Sequence, residues 1–377
     1  MKKIKVGIIG AGWMGTTHAR AYNNVQQHYG VEVVPVLEMI ADTNGQLAKK
    51  VCAQYGFNKW SAVPEDVIND PDIEIVLITT PNQFHIPLVI DAAKAGKAIF
   101  CEKPLGMNGE DAKKGLDAVM QNGNISMVGF IYINNPMLVY AKELIKSGKL
   151  GEVVSFRGQY DMEYSASPDI PHTWRQFDPV SGALGDIGAH IMAISDYLLE
   201  DDIVDVCANT RILYTERPDL NDPSKMLPVK NDDEANVIYN YKSGAMGTLV
   251  TSRVSPGNKV GERFDVQLTK GAIRFDQERM NELEVYDHNA DAKDQGFRIV
   301  RGMPEHGEYG IFCTQAGLGI SYIDLMTIQA HKMLMAVAEN RKVKPDIESG
   351  YKVNIYIDAM LKSADEHRWV KVSECEK

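Results

Sequence analysis

Residues 4–15 run Ile4-Lys5-Val6-Gly7-Ile8-Ile9-Gly10-Ala11-Gly12-Trp13-Met14-Gly15, an apolar run of strand length that passes straight into GxGxxG. Such a run reads as a strand buried on both faces, as in a parallel sheet. Glycines directly after it let the backbone turn tightly and approach a pyrophosphate, whose charge the N-terminus of the following helix stabilises. GxGxxG alone is weak, because a tight βα turn without a ligand also uses glycine; the strand–turn–helix context favours dinucleotide binding. The two lysines ahead of the run also resemble the start of a signal peptide. Three glycines break the apolar stretch, however, and no small-residue cleavage site follows, so a first strand is expected.

Outward from this turn, short apolar runs alternate with helical spacing. Val31–Ala41, Ile75–Thr79 and Ala98–Cys101 read as further strands. Helices are expected over Gly12–Tyr29, Gln46–Tyr55, Pro87–Ala95 and Glu110–Met120. Alternation of this kind predicts a parallel sheet covered on both faces across residues 1–130. Residues 131–377 read differently. A helix at Pro136–Ser147 precedes a long strand at Glu152–Tyr164, and Ile187–Leu199 is helical. Strand-like runs then follow at Ile203–Leu213, Asn236–Tyr241, Gly247–Ser252, Phe264–Thr269, Ala272–Phe275 and Leu283–Tyr286. Short turns between consecutive strands predict a mostly antiparallel sheet, and helices at Tyr322–Glu339 and Gly350–His367 close the chain. Arg217–Lys230, with its prolines, is expected to be an exposed loop.

At 377 residues the chain suits two domains better than one core, and 44% hydrophobic against 24% charged residues is a globular balance rather than a disordered one. A formal charge of −11 with no basic stripe excludes a nucleic-acid partner. No apolar run approaches the ~20 residues that span a bilayer, so no membrane partner is expected. The five scattered cysteines form no CxxC pair, which points to reduced thiols and a cytoplasmic protein. His288, His306 and Cys313 lack ligand spacing, so no metal is expected.

Asp42 ends the second strand, later than the usual ~20 residues after the glycine turn because 23–30 lengthens the connection. A carboxylate there accepts from the adenosine ribose hydroxyls and repels a 2′-phosphate. Thr43 and Asn44 supply no arginine for that phosphate, which favours NAD over NADP. The alternative is an ordinary helix N-cap.

Two further segments carry chemistry. Thr79-Thr80-Pro81-Asn82-Gln83-Phe84-His85 and Cys101-Glu102-Lys103-Pro104 each lie at the carboxyl end of a parallel strand, where open α/β sheets hold their ligands. Gly182-Ala183-Leu184-Gly185-Asp186-Ile187-Gly188-Ala189-His190, if helical, puts Asp186 and His190 on one face. With the AGWMG turn, TTPNQFH, CEKPLG and GDIGAH in place, the chain resembles the glucose–fructose oxidoreductase/inositol dehydrogenase (Gfo/Idh/MocA) family over nearly its whole length. Within that family it is similar to the glucoside 3-dehydrogenases, through AYNNVQQHYGVEVVPVLEMIAD, His172-Thr173-Trp174-Arg175 and GALGDIGAH.

The resemblance implies a Rossmann domain followed by an α+β domain that binds substrate and forms a homo-oligomer, a dimer or tetramer. It also implies hydride transfer between NAD and a ring secondary alcohol of a sugar, glycoside or cyclic polyol, with the 3-position of a pyranose favoured. Lys103, Asp186 and His190 are the implied catalytic group. Their chemistry suits these roles, because a histidine titrates near neutral pH and takes the alcohol proton, while an ammonium stabilises developing alkoxide. Taken singly, Lys103 reads equally as a solvated lysine, Asp186 as a helix cap and His190 as a surface histidine. Gly10, Gly12, Trp13, Met14, Gly15, Asp42, Thr80, Pro81, Asn82, His85, Glu102, Lys103, Trp174 and Arg175 are the expected cofactor contacts. Lys103, Tyr132, Asn134, Tyr160, Asp161, His172, Asp186 and His190 are the candidates for binding substrate, with Trp174 and Arg175 also able to line a sugar pocket. Core packing explains each aromatic about as well, and His18 and His28 read as surface or helix-face residues. Rival functions are an inositol dehydrogenase, a redox-neutral glycosidase that uses tightly held NAD, and a non-catalytic NAD sensor.

Overall fold

The computed structural model describes residues 2–376. The chain folds into two compact units, the first comprising residues up to 106, 110–134 and 320–352, the second 107–109, 135–319 and those from 353 on.

The first unit opens with β1 (Lys2–Ile9), α1 (Trp13–Tyr29), β2 (Val33–Ala41), α2 (Gly45–Tyr55), β3 (Lys59–Ser61), α3 (Glu65–Asn69), β4 (Ile75–Ile78), α4 (His85–Lys94), β5 (Ala98–Cys101), α5 (Gly109–Asn122) and β6 (Ser126–Val128). The six strands are all parallel, in the order β3-β2-β1-β4-β5-β6. This is the doubly wound order, reversing direction between β1 and β4. Central β4 and β5 are buried along their whole length, as a sheet covered on both faces demands. The three-residue strands β3 and β6 at the edges add to the four runs visible in the sequence. Asn44 caps α2 by accepting from Leu47 N at 3.1 Å, and Gly56 ends that helix in the left-handed region.

The second unit begins with α6 (Pro136–Lys146), β7 (Val153–Asp161), α7 (Trp174–Phe177) and α8 (Ala189–Leu199). It continues through β8 (Ile203–Arg211), β9 (Glu216–Pro218), β10 (Met226–Pro228), β11 (Glu234–Tyr241), β12 (Met246–Ser252), β13 (Gly261–Leu268), β14 (Gly271–Asp276), β15 (Glu282–Asp287), β16 (Arg298–Arg301) and α9 (Tyr309–Phe312). After α10 (Tyr322–Glu339) and α11 (Ile347–Glu366), β17 (Val370–Lys371) completes a nine-stranded sheet. Its order is β16-β15-β14-β13-β7-β12-β11-β8-β17, antiparallel throughout except for the β7–β12 pair.

Helix α10 belongs to the first unit. It packs on α1, where His331 stacks on Tyr29 with centroids 3.6 Å apart, and Lys2 Nζ donates to Ala338 O at 3.1 Å. Arg217–Lys230 is largely exposed, as expected, but it is not an irregular loop. It holds the β9–β10 hairpin and a fully buried Arg217, whose guanidinium donates to Ser165 O and Ser167 O at 2.7 and 2.8 Å.

Candidate active site

In the first unit the three glycines of the turn have distinct reasons to lack a side chain. Gly10 sits at φ +103°, and a Cβ there would lie 2.7 Å from Thr79 O. A Cβ on Gly15 would collide with the Gly10 carbonyl oxygen, so this glycine sets the close approach of α1 to the turn. Around Gly12 nothing lies within 4 Å, and the backbone there is open to a phosphate. Thr79 ties the switch point together, its hydroxyl donating to Ile9 O or Gly10 O, each 3.0 Å away. Asp42 reaches back to the turn: Oδ2 accepts from Ala11 N and Oδ1 from Asn44 N, both at 2.8 Å. Since Asn44 caps α2, the N-cap alternative for Asp42 falls. These features fit a dinucleotide.

Trp13 is 69% exposed and stacks on Tyr322, centroids 6.4 Å apart, while Met14 is half-buried. Thr80 is half-buried, Pro81 exposed and Asn82 buried. His85 is wholly buried, its Nδ1 and Nε2 each 2.9 Å from a carbonyl oxygen, Pro104 O and Thr80 O. With both nitrogens against backbone carbonyls, the ring braces the two loops; burial, the largest influence, pushes its pKa down. Lys103 is half-buried beside Glu102, whose Oε2 accepts from Lys103 N at 3.3 Å. The other oxygen, Oε1, accepts from His18 Nε2 at 2.7 Å.

His18 is therefore a correction: it is 2% exposed, on the inner stripe of α1 with Gly15, Ala19, Tyr22 and Val25. That spacing was its signal. A Cβ on Gly129 would lie 2.6 Å from Glu102 Oε2, so the carboxylate fits only over glycine. Tyr132 is buried, edge-on to Tyr322 at 6.3 Å. Asn134 is buried too, donating to Ile131 O and accepting from Lys332 Nζ, both at 3.0 Å.

In the second unit Leu184–Gly188 forms a π-turn that runs into α8, so Asp186 and His190 do not sit on one regular α-helix. The wider π step is enriched at functional sites. Two glycines, one within the turn and one just before it, are enforced. A Cβ on Gly185 would strike Val180 O, and one on Gly182 would strike the Asp232 carboxylate. Asp232 anchors the turn, accepting from Ala183 N through its carbonyl (2.9 Å) and from Leu184 N through Oδ2 (2.8 Å). Burial pushes this carboxyl up to about 6. Asp186 Oδ2 accepts from Tyr164 Oη at 2.7 Å, and the buried His190 ring lies 6.0 Å from that of buried Tyr160. Asp161 is buried and accepts from Gln159 Nε2 at 2.6 Å, burial raising its pKa.

Tyr160, Asp186 and His190 thus gather around the end of β7 and the start of α8. Asp161 is a correction: it follows Tyr160 along the strand and points to the opposite sheet face with Gln159, away from His190. The half-buried His172 is bound instead to the hairpin, its N donating to Pro218 O at 2.7 Å and its Nε2 to Pro228 O at 3.1 Å. Thr173 caps α7, and the Arg175 guanidinium lies 4.3 Å over the half-exposed Trp174 ring. Sequence reasoning missed Tyr164, Arg217 and Asp232, which carry no local pattern. Among the described residues no group of three His, Cys, Asp or Glu is placed to hold a metal ion.

Residues 4–130 match an oxidoreductase family with an NAD-binding Rossmann fold, and 138–274 match the GFO/IDH/MocA C-terminal domain. The chain is 36% identical to levoglucosan dehydrogenase of Pseudarthrobacter phenanthrenivorans over 99% of both proteins. It is 32% identical to the NAD-dependent scyllo-inositol 2-dehydrogenase of Bacillus subtilis over 72% of this chain and 73% of that protein. A solved levoglucosan dehydrogenase in complex with NADH and levoglucosan superposes with a TM-score of 0.94 at 36% identity, covering 98% of this chain and 100% of that one. With both halves matched and a relative aligned end to end, the chain belongs to the Gfo/Idh/MocA family of NAD-binding oxidoreductases.

Proposed function

We propose that this chain is an NAD-dependent dehydrogenase that oxidises a ring secondary alcohol of a sugar, glycoside or cyclic polyol, with the 3-hydroxyl of a pyranose the favoured position. The single observation that carries this reading is the full-length likeness to levoglucosan dehydrogenase. NAD, when bound, accepts the hydride. The chain's own residues do the rest: the glycine turn and Asp42 hold the dinucleotide, His190 takes the hydroxyl proton, Lys103 stabilises developing alkoxide, and Asp186 orients imidazole or substrate. The remaining cofactor and substrate contacts are those expected from the sequence, except that His85 is enclosed between Thr80 O and Pro104 O, His172 is bound to the hairpin, and Asp161 lies on the opposite face of the sheet.

Lys103→Ala tests the assignment. Turnover of levoglucosan or myo-inositol should fall by at least about 10³-fold while NAD affinity, read by titration calorimetry, changes little. Near-normal turnover would make Lys103 a surface residue. In the same assay His190→Asn should lower kcat by roughly 10²–10⁴ and remove the rising limb of the pH–rate profile.

The oligomer is assigned to the open face of the nine-stranded sheet. Register places Cys207, Ile238, Thr248, Arg157, Asp265, Arg274, Glu284 and Ile299 in one row across eight strands. Apolar Ile238 and Ile299 are exposed at its ends, with charges of alternating sign between them. Such a row is self-complementary, which is what a two-fold interface between copies requires. The five free cysteines fit a reducing cytoplasm.

A further inference from the structure

We propose that Tyr164 is a positioning residue for Asp186, its phenol fixing the carboxylate and the loop around it locked by Arg217. The proposal rests on the role assigned to Asp186 above and adds the group through which the fold sets that side chain. The hydroxyl donates to Asp186 Oδ2 at 2.7 Å, so the carboxylate cannot turn about its last bond without losing a charge-assisted hydrogen bond. Burial first, and then the Asp186 charge, push the Tyr164 phenol well above its ordinary value, and it remains a neutral donor throughout the working range.

Both partners are held from behind. The chain leaving β7 is pinned where Met162 N donates to Ser252 O at 2.7 Å and Ser165 N to Arg253 O at 2.9 Å. Arg217, fully buried, spends its guanidinium on the carbonyls of Ser165 and Ser167. On the other side, Asp232 anchors the start of the π-turn through Ala183 N and Leu184 N. Arg253 and Arg175 are the other charged groups that bear on the phenol. Tyr160 and His190 lie on β7 and α8, the elements packed against the turn.

Tyr164→Phe removes one oxygen and keeps the ring. Four proteins are compared: wild type, Tyr164→Phe, Asp186→Asn and the double variant, each with NAD and either levoglucosan or myo-inositol. Tyr164→Phe should lower kcat about 10- to 100-fold with KM and NAD affinity held within about two-fold, the signature of lost positioning rather than lost binding. On the Asp186→Asn background the same change should cost less than about two-fold, because the phenol has no carboxylate left to orient. Equal losses on both backgrounds overturn the proposal.

A readout independent of turnover uses the apo chain labelled with 13Cγ-aspartate, the Asp186 carboxyl signal being assigned by its absence in Asp186→Asn. Its titration should move to higher pH in Tyr164→Phe, since the lost donor favoured the charged form. An unmoved titration overturns the proposal even if kcat falls. Wild-type turnover in Asp186→Asn would instead sink the role of Asp186, while the titration still decides whether Tyr164 holds it.

Discussion

Asp42 joins two roles in one side chain. Its oxygens accept from Ala11 N and Asn44 N, so the carboxylate that would meet an adenosine ribose is also a strut of the glycine turn. NAD should therefore bind at least about ten-fold more tightly than NADP, the carboxylate repelling a 2′-phosphate. Asp42→Ala should narrow that gap and weaken both cofactors by loosening the turn. Titration of each into the apo protein measures this, and equal wild-type affinities would remove the role given to Asp42. At this scale the sequence was informative where residue type and spacing alone define a job, as at Gly10, Gly12 and Gly15. It was silent where a partner arrives from far along the chain. Nothing near His18 announces Glu102, and nothing near Asp186 announces Tyr164.

Elements with a strong signal were legible: β1 as a mostly apolar run leading into the glycine turn, α10 with bounds at Tyr322 and Glu339, and most strands of the large sheet. The three-residue strands β3 and β6 are too short for alternation to register, and they exist because longer neighbours offer them partners. The π-turn has no sequence period of its own. It follows from glycines at 182 and 185 and from Asp232, which lies far along the chain. The β9–β10 hairpin was obscured by its prolines, whose turn signal outweighed the buried arginine just ahead of them. Arg217→Met should leave the Ser165 and Ser167 carbonyls without their donor and destabilise the fold by roughly 2–3 kcal/mol. Urea unfolding reads the loss, and hydrogen exchange should show 165–177 exchanging faster. Exchange unchanged in that segment would mean the hairpin does not hold it.

On the scale of the whole chain, two regions that match the two halves of one family are joined with a relative aligned from end to end. The return of residues 320–352 to the first unit depends on contacts such as Tyr29 with His331, which no local pattern encodes. No described helix is long and apolar enough to cross a membrane. If the open sheet face joins copies of the chain, sedimentation should give a dimer or tetramer, and Ile238→Asp together with Arg157→Glu should yield a smaller species; an unchanged mass would place the interface elsewhere. The central claim is net oxidation of a ring alcohol by NAD, and the most direct measurement is NADH absorbance over time. The purified protein is mixed with excess NAD and, in turn, levoglucosan, a glucoside and myo-inositol. The account predicts steady accumulation of NADH, stoichiometric with a keto product, from at least one of them. Cleavage of the glucoside with no net NADH, or no turnover of any of the three, would contradict it.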